Sequence, residues 1–461
     1  MTIDISRWQE RLALLAEKHG VPGASLAILE GEEVAEAAYG VLHIGTGVEA
    51  TTDSVFQIGS ITKVWTATLV MQLVDEGLVD LDEPLVTYLP DFRVADAAVT
   101  RTVTTRHLLA HTSGIDGDLF LDTGRGDDNV ERYVAAMADL GQNHPLGATM
   151  SYCNSGYIVL GRLVEVLRGQ SWDVVLRDRL FKPLGLTSAG TLPEEALLHR
   201  AAVGHITPPR GELQVTPMWG IFRSCGPAGL IHATAAETLA FAKLHLADGV
   251  APDGTRVLSA ESAQAMREPQ IEVPDRWTLG SHWGLGWILM EWSGRPVYGH
   301  DGNTLGQAGF LRIVPDAGVA VCLLANGGHA RDLFMDLFNE ILGELASVEL
   351  PPRLEPASSA PTDVDLSSYA GRYAREGVEL TLSVEGNELK GVVRSTSELS
   401  AALGSEDPEP MRVVPVEDNV FVAKGPDDES WIPFVFFELP DGSEYVHFGA
   451  RANPKVAAPT D

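Results

Sequence analysis

The sequence predicts an α/β protein: an antiparallel sheet flanked by helices, with a mainly helical subdomain, followed by a small antiparallel β domain. Three observations carry this expectation. Strand-like runs stand at both ends of the first 350 residues, and helical periodicity fills the middle. Beyond a Pro/Ser/Ala-rich break the text changes to short alternating runs separated by turn residues.

Residues 6–19 place Trp8, Leu12 and Leu15 at helical spacing and read as an amphipathic opening helix. GASLAILEG and EVAEAAYGVL follow as strands, divided by a hairpin-like turn at Gly31-Glu32-Glu33. A helix runs from about Ser60 to Glu76 and ends at Gly77; Pro84 and Pro90 then break the pattern. Thr105–Ala110, Gly156–Arg168, Trp172–Leu180 and Ala235–Leu246 carry apolar faces at three- and four-residue spacing. Strand signals return at 283–293, 296–300, 308–314 and 318–325, with a helix near 330–346. Residues 1–350 are thus expected to form one domain, and 351–362 (PPRLEPASSAPT) a linker. Residues 363–461 are expected to form a β sandwich or barrel, since VELTLSV, RVVPV and WIPFVFFEL are each closed by turn residues.

Composition narrows the function classes. Of 461 residues, 45% are hydrophobic and 21% charged, the usual balance of a folded soluble protein. The net charge of −31 argues against nucleic acid or an anionic membrane as partner, because both repel such a surface. Cys153, Cys225 and Cys322 are few and far apart, which is no disulfide framework and fits a reducing compartment. The opening residues lack the basic start and apolar run of a secretion signal, and no stretch reaches the roughly 20 apolar residues of a membrane helix. A cytoplasmic location is expected. His107 and His111 share the i, i+4 spacing of zinc-binding helices, but position 108 is leucine, so buried hydrogen-bonded histidines are the better reading. No G-x-x-x-x-G-K-[ST], G-x-G-x-x-G or G-x-S-x-G occurs. Neither metal nor cofactor is expected.

The chemistry is expected in FQIGSITKVWTATLV, from Phe56. A serine hydroxyl is a weak nucleophile until a neighbouring base takes its proton. Residues three apart on a helix share a face, which brings the Lys63 amine within reach of the Ser60 hydroxyl. Burial of Lys63 would disfavour its ammonium form. A helix beginning at Ser60 would also aim free N–H groups at an oxyanion forming there. Further along, Ser151-Tyr152-Cys153-Asn154 opens a helical segment with Y-x-N. A phenol near an ammonium loses its proton more readily, and the Asn154 amide can bind a carbonyl and hold Lys63. His300-Asp301-Gly302 ends a strand-like run, and Gly302 would let a substrate backbone approach the sheet edge. The tryptophans of 277–292 fit an acyl pocket or plain core equally well.

With S-x-x-K, Y-x-N and H-x-G in this order, the sequence resembles the serine β-lactamase and penicillin-binding-protein superfamily, particularly its class C-like branch. That branch also holds esterases, D-amino-acid amidases and peptidases, and transacylases. HLLAHTSGI, CGPAGLIHATAAETLAFAKL and LLANGG look familial too, so the resemblance covers residues 6–346. The terminal β domain resembles the lipocalin-like modules attached to some members. The resemblance implies that Ser60 is acylated, that Lys63 and Tyr152 share the base role, and that the N–H groups of Ser60 and Asn303 form the oxyanion hole. His300 stands where many relatives have a lysine that attracts a substrate carboxylate, and Asp301 replaces a threonine or serine. A neutral imidazole and an added negative charge are expected to disfavour anionic ligands and to favour neutral or amine-bearing ones. Asn154, His300, Asp301, Gly302 and Asn303 are thus expected to line the substrate site.

Three functions remain open at this stage. One is a hydrolase of an ester or amide in a small molecule or short peptide, with D-configured substrates included. Another is a transacylase passing its acyl group to an amine in natural-product assembly. The third, a non-catalytic acyl-binding or sensor module, predicts a membrane segment or a damaged triad. The sequence has neither. Oligomeric state stays open, and the terminal domain either covers the pocket mouth or supports assembly.

Overall fold

A computed structural model describes residues 3–208, 211–356, 364–396, 410–425 and 430–457. Its body is a nine-stranded antiparallel sheet. Three strands come from the start of the chain: β1 (Gly23–Glu30), β2 (Glu33–His43) and β3 (Val48–Glu49). Six come from the far end of the domain: β4 (Ile271–Glu272), β5 (His282–Trp283), β6 (Ile288–Trp292), β7 (Arg295–Asn303), β8 (Ala308–Val314) and β9 (Val319–Ala325). The order is β3-β2-β1-β9-β8-β7-β6-β5-β4, so β1 pairs with β9, from Ala24 opposite Ala325 to Glu30 opposite Val319.

Period-two alternation splits each central strand between two cores. Ala24, Leu26 and Ile28 of β1 pack beneath α1 (Ile5–Lys18) and, with Val321 and Leu323 of β9, join Trp8, Leu12, Leu333 and Phe338. Ala27 and Leu29 face the other way, with Cys322 and Leu324, toward the helical block. Both faces of β9 are therefore covered, and its seven residues are apolar throughout. In that block α2 (Thr62–Asp75) is buried from Thr62 through Leu73, an all-round apolar helix at the centre of the domain. Beside it lie α3 (Asn154–Arg168) and α4 (Ala235–Leu246), while α5 (Ala330–Ala346) packs with α1 on the opposite face. The expected segment Trp172–Leu180 is one helix of five residues, Trp172–Leu176, continued by a π-helical turn at Arg177–Phe181.

The terminal domain is a closed antiparallel barrel of eight strands in simple up-and-down order. They are β10 (Gly371–Arg375), β11 (Val378–Glu385), β12 (Glu388–Ser395), β13 (Met411–Glu417), β14 (Val420–Ala423), β15 (Ile432–Glu438), β16 (Glu444–Phe448) and β17 (Arg451–Val456). Pairing of Arg372 with Val456 closes it. Tyr373, Leu380, Leu389, Phe421, Phe434, Phe436 and Val446 fill its interior. Of the expected linker, residues 357–362 lie outside the described residues, as does 363 at the start of the expected barrel domain. The barrel docks on the body at several places, among them the end of β10, where Arg375 donates to Asp118 at 2.6 Å. Ser430 donates to Asp332 at 2.6 Å, and the turn between β16 and β17 reaches the start of α3. Among the described residues, no helix is long and apolar enough to cross a membrane.

Candidate active site

Ser60 lies in a single 3₁₀ turn, Gly59–Ile61, that leads directly into α2. Gly59 has φ +54°, and a Cβ there would stand 2.5 Å from the Asn303 nitrogen. A Cβ on Gly302 would stand 1.9 Å from the Ile58 carbonyl oxygen and 3.0 Å from the Ser60 nitrogen. Two glycines thus let the end of β7 press against the Ser60 turn, backbone to backbone. That contact corrects the expectation for Gly302: the chain that approaches it is the protein's own, and Gly302 is buried beneath the cleft. It brings the backbone of residues 302–303 against that of residues 58–60.

Lys63 is fully buried one turn below Ser60. Its Nζ donates to Ser60 Oγ at 3.0 Å and to the Ala228 carbonyl at 2.6 Å. It forms no ion pair among the described residues. Burial first, and the Arg451 guanidinium second, pull its pKa down to about 7. An amine in this state is an effective proton acceptor near neutrality.

Tyr152 lies just before α3 and carries a buried hydroxyl without a standard hydrogen-bond partner. Its ring is stacked on His111 at 4.3 Å and edged by Trp283 at 5.7 Å. Lys63 Nζ lies 4.9 Å and the Arg451 guanidinium carbon 5.0 Å from the ring centroid. Burial raises the phenol pKa, while the Ser60 hydroxyl and Arg451 act against that rise without cancelling it. The expectation that an ammonium would ease its ionisation is therefore reversed, because desolvation wins.

Asn154 turns its Nδ2 to Asp118 at 2.8 Å, and not to Lys63, whose second partner is the Ala228 carbonyl. Asp118 also accepts from Arg375 at 2.6 Å and Arg451 at 2.8 Å, both from the barrel. Burial opposes its charge, but the two guanidiniums outweigh that and hold it below the usual carboxylate range.

His300 is buried, with Nδ1 against the Asp301 carbonyl at 2.6 Å and Nε2 unpartnered at the cleft. Burial lowers its pKa to about 3, so the ring is neutral. Asp301 is not the free negative charge the sequence led us to expect. Arg312 donates to it at 2.5 Å and Arg331 at 3.5 Å, and these neighbours overcome burial to keep it ionised. The pair neutralises the charge expected to repel anions.

These groups surround a cleft of about 450 Å³ that contains Ser60, Tyr152, Asn154, His300, Asp301 and Asn303. Phe120, Ile221, Leu279, Ile288 and Leu305 give it apolar walls. Gly449, Ala450 and Arg451 of the barrel complete them. Trp283 and Trp287 are core residues; Trp283 backs Tyr152 and His300 without lining the cleft. His107 bonds Thr104 at 2.8 Å, whereas His111 accepts from the Cys153 N–H at 2.9 Å. The two rings serve different places. Cys153 caps α3, and burial pushes all three thiols up to about 12.

Comparison with known proteins gives the family of the chain. The Beta-lactamase family model matches residues 8–343, and the chain belongs to that family of serine hydrolases. Penicillin-binding protein 4 of Amycolatopsis lactamdurans is 54% identical over 82% of this chain and 99% of its own. The crystal structure of SurE, also solved with D-Leu, is similar over 98% of this chain and 99% of its own, with TM-score 0.77 and 28% identity. A D-amino acid amidase from Ochrobactrum anthropi shares the fold of the body, with TM-score 0.60 and 24% identity over 74% of this chain and 99% of its own.

Proposed function

We propose that the protein is a serine acyl-enzyme catalyst that cleaves an ester or amide of a small or short peptidic substrate through Ser60, Lys63 and Tyr152. One observation carries this reading: a buried lysine without a counter-ion among the described residues stands 3.0 Å from a half-buried serine hydroxyl at the floor of a cleft. Ser60 Oγ attacks the carbonyl carbon and its proton passes to the Lys63 amine. The carbonyl oxygen becomes an oxyanion beside the N–H groups of Ser60 and Asn303. The leaving amine or alcohol takes a proton from the Lys63–Tyr152 pair as its bond to carbon breaks. Water then attacks the acyl-enzyme, the same pair receives its proton and returns it to Ser60 Oγ as the Ser60–acyl bond breaks, and the free acid leaves.

The substrate class is read from the walls and from one relative. Five apolar side chains line the cleft, which suits an apolar residue at the acyl carbonyl. SurE was solved with D-Leu, and a D-configured residue is the corresponding substrate feature here. With Asp301 neutralised, Arg331 and Arg451 leave the cleft able to accept a carboxylate.

Acyl transfer to an amine is the second reading, favoured by a cleft with room beside Ser60 for an acceptor. The test is to acylate the enzyme with activated esters of D- and L-amino acids and to offer amines in competition with water. Products are analysed by mass spectrometry. Amide products would establish transfer, and free acid alone across a broad panel would leave hydrolysis. Labelling by a fluorophosphonate that persisted in Ser60→Ala would overturn the reading itself.

A further inference from the structure

The barrel does more than sit beside the cleft. Gly449 and Ala450 form a two-residue turn between β16 and β17, both at positive φ (+58° and +68°), as a type I′ hairpin requires. Ala450 has no glycine's freedom to adopt that conformation, so docking holds it there. Its carbonyl accepts the Tyr152 N–H at 3.0 Å, and the Ala452 N–H donates to Ser151 Oγ at 3.2 Å. The residue that carries the phenol is therefore tied by its own backbone to the barrel.

Arg451 follows that turn. Its guanidinium donates to Asp118 and to the Gly449 carbonyl at 2.8 Å each, and faces the Tyr152 ring. Its Nε is buried and unpartnered. Arg375, from another barrel strand, shares the same Asp118 carboxylate. The Glu376 N–H of the same strand end reaches Asp116 at 2.5 Å. Asp118 in turn fixes the Asn154 amide. Four side chains from two domains so form one buried cluster behind Tyr152 and Lys63.

We propose that Arg451 is a positioning residue of the acylation site: from the barrel it orients Tyr152 and, through Asp118, Asn154, and it sets a fixed positive charge against the Tyr152 ring that Lys63 also faces. The inference rests on the acyl-enzyme reading above. A cation beside a buried amine disfavours a second positive charge there, and after burial itself Arg451 is the largest cause of the depressed Lys63 pKa. Asp118 acts in the opposite sense. The other groups facing Lys63 are the neutral His111 and His300, the thiols of Cys153 and Cys225, and the phenols of Tyr152 and Tyr157. None of these carries a fixed charge near pH 7, which leaves Arg451 and Asp118 as the opposed pair that sets the balance.

The test is the pH dependence of Ser60 labelling by a fluorophosphonate in the full-length protein, with Ser60→Ala as the control. Wild-type labelling rises with pH to a midpoint near neutrality. In Arg451→Met the midpoint moves up by about one pH unit, about a tenfold slower rate below it, and the rate recovers at high pH. Arg451→Lys restores most of the shift. Asp118→Asn moves the midpoint down. A purely structural role would lower rates without shifts of opposite sign. If Arg451→Met does not fold, as judged by near-UV circular dichroism, Arg451→Gln and Asp118→Asn decide the matter. An unchanged midpoint in the folded variants overturns the inference while leaving the acyl-enzyme reading intact. Persistent labelling of Ser60→Ala would instead remove that reading.

Discussion

Lys63 and Asp118 are buried ionisable groups in neighbouring parts of the same site, and the protein treats them in opposite ways. Lys63 receives a hydroxyl, a carbonyl oxygen and no carboxylate, so desolvation brings its pKa to about 7. Asp118 receives two guanidiniums and an amide, so it stays charged despite burial. Asp301, paired with Arg312 and Arg331, repeats the second pattern. The difference separates a group that must exchange a proton from groups that must not. Leaving an amine uncompensated costs stability and gains reactivity, whereas saturating a carboxylate fixes geometry.

Substitutions break this comparison in order of size. Ser60→Ala lowers turnover by about 10⁴-fold or more, read as loss of the acyl-enzyme by intact mass. Lys63→Met lowers acylation by a comparable factor, yet raises unfolding free energy by about 1–4 kcal/mol in denaturant titrations at pH 7, because no buried amine remains to be desolvated. Linkage gives the sign. The Lys63 pKa is lower folded than unfolded, so the unfolded chain binds the extra proton between about pH 7 and 10 and wild-type stability rises through that window. The same slope is reduced in Lys63→Met. Asp118→Asn shows the reverse of the lysine variant: it leaves two guanidiniums without their carboxylate and costs about 3 kcal/mol, seen as a lower Tm. Tyr152→Phe slows acylation by about 10²–10³-fold and leaves stability near wild type, since the ring keeps its packing on His111 and Trp283 and loses only the hydroxyl that faces Ser60. Gly302→Ala forces the Ile58 carbonyl away and costs about 1–3 kcal/mol together with labelling rate.

What the sequence made legible follows the same division. Ser60 and Lys63 lie three residues apart where a 3₁₀ turn runs directly into α2, so their contact could be read from spacing alone. The sheet built from both chain ends, α1, α5 and the barrel were legible from periodicity and from the break after residue 350. The Asp118 cluster was not. Its partners Arg375 and Arg451 stand 257 and 333 residues away, and no periodicity links an irregular segment to another domain. Desolvation of Tyr152 was equally hidden, because it depends on His111, Trp283 and the barrel turn closing around the ring. The neutralisation of Asp301 carried a readable signal. Asp301 pairs with Phe310 across β7 and β8, which sets Arg312 diagonally on the same face.

The central claim is that buried Lys63, beside Ser60, gives up its proton near pH 7, far below the range of an exposed lysine. Its most direct test is an NMR titration of protein labelled with ¹³C at lysine Cε, with the Lys63 resonance assigned by its loss in Lys63→Met. The account predicts one lysine that titrates with a midpoint near pH 7, well apart from the others. A Lys63 signal that stays in its ammonium form until about pH 10, like an exposed lysine, would contradict it.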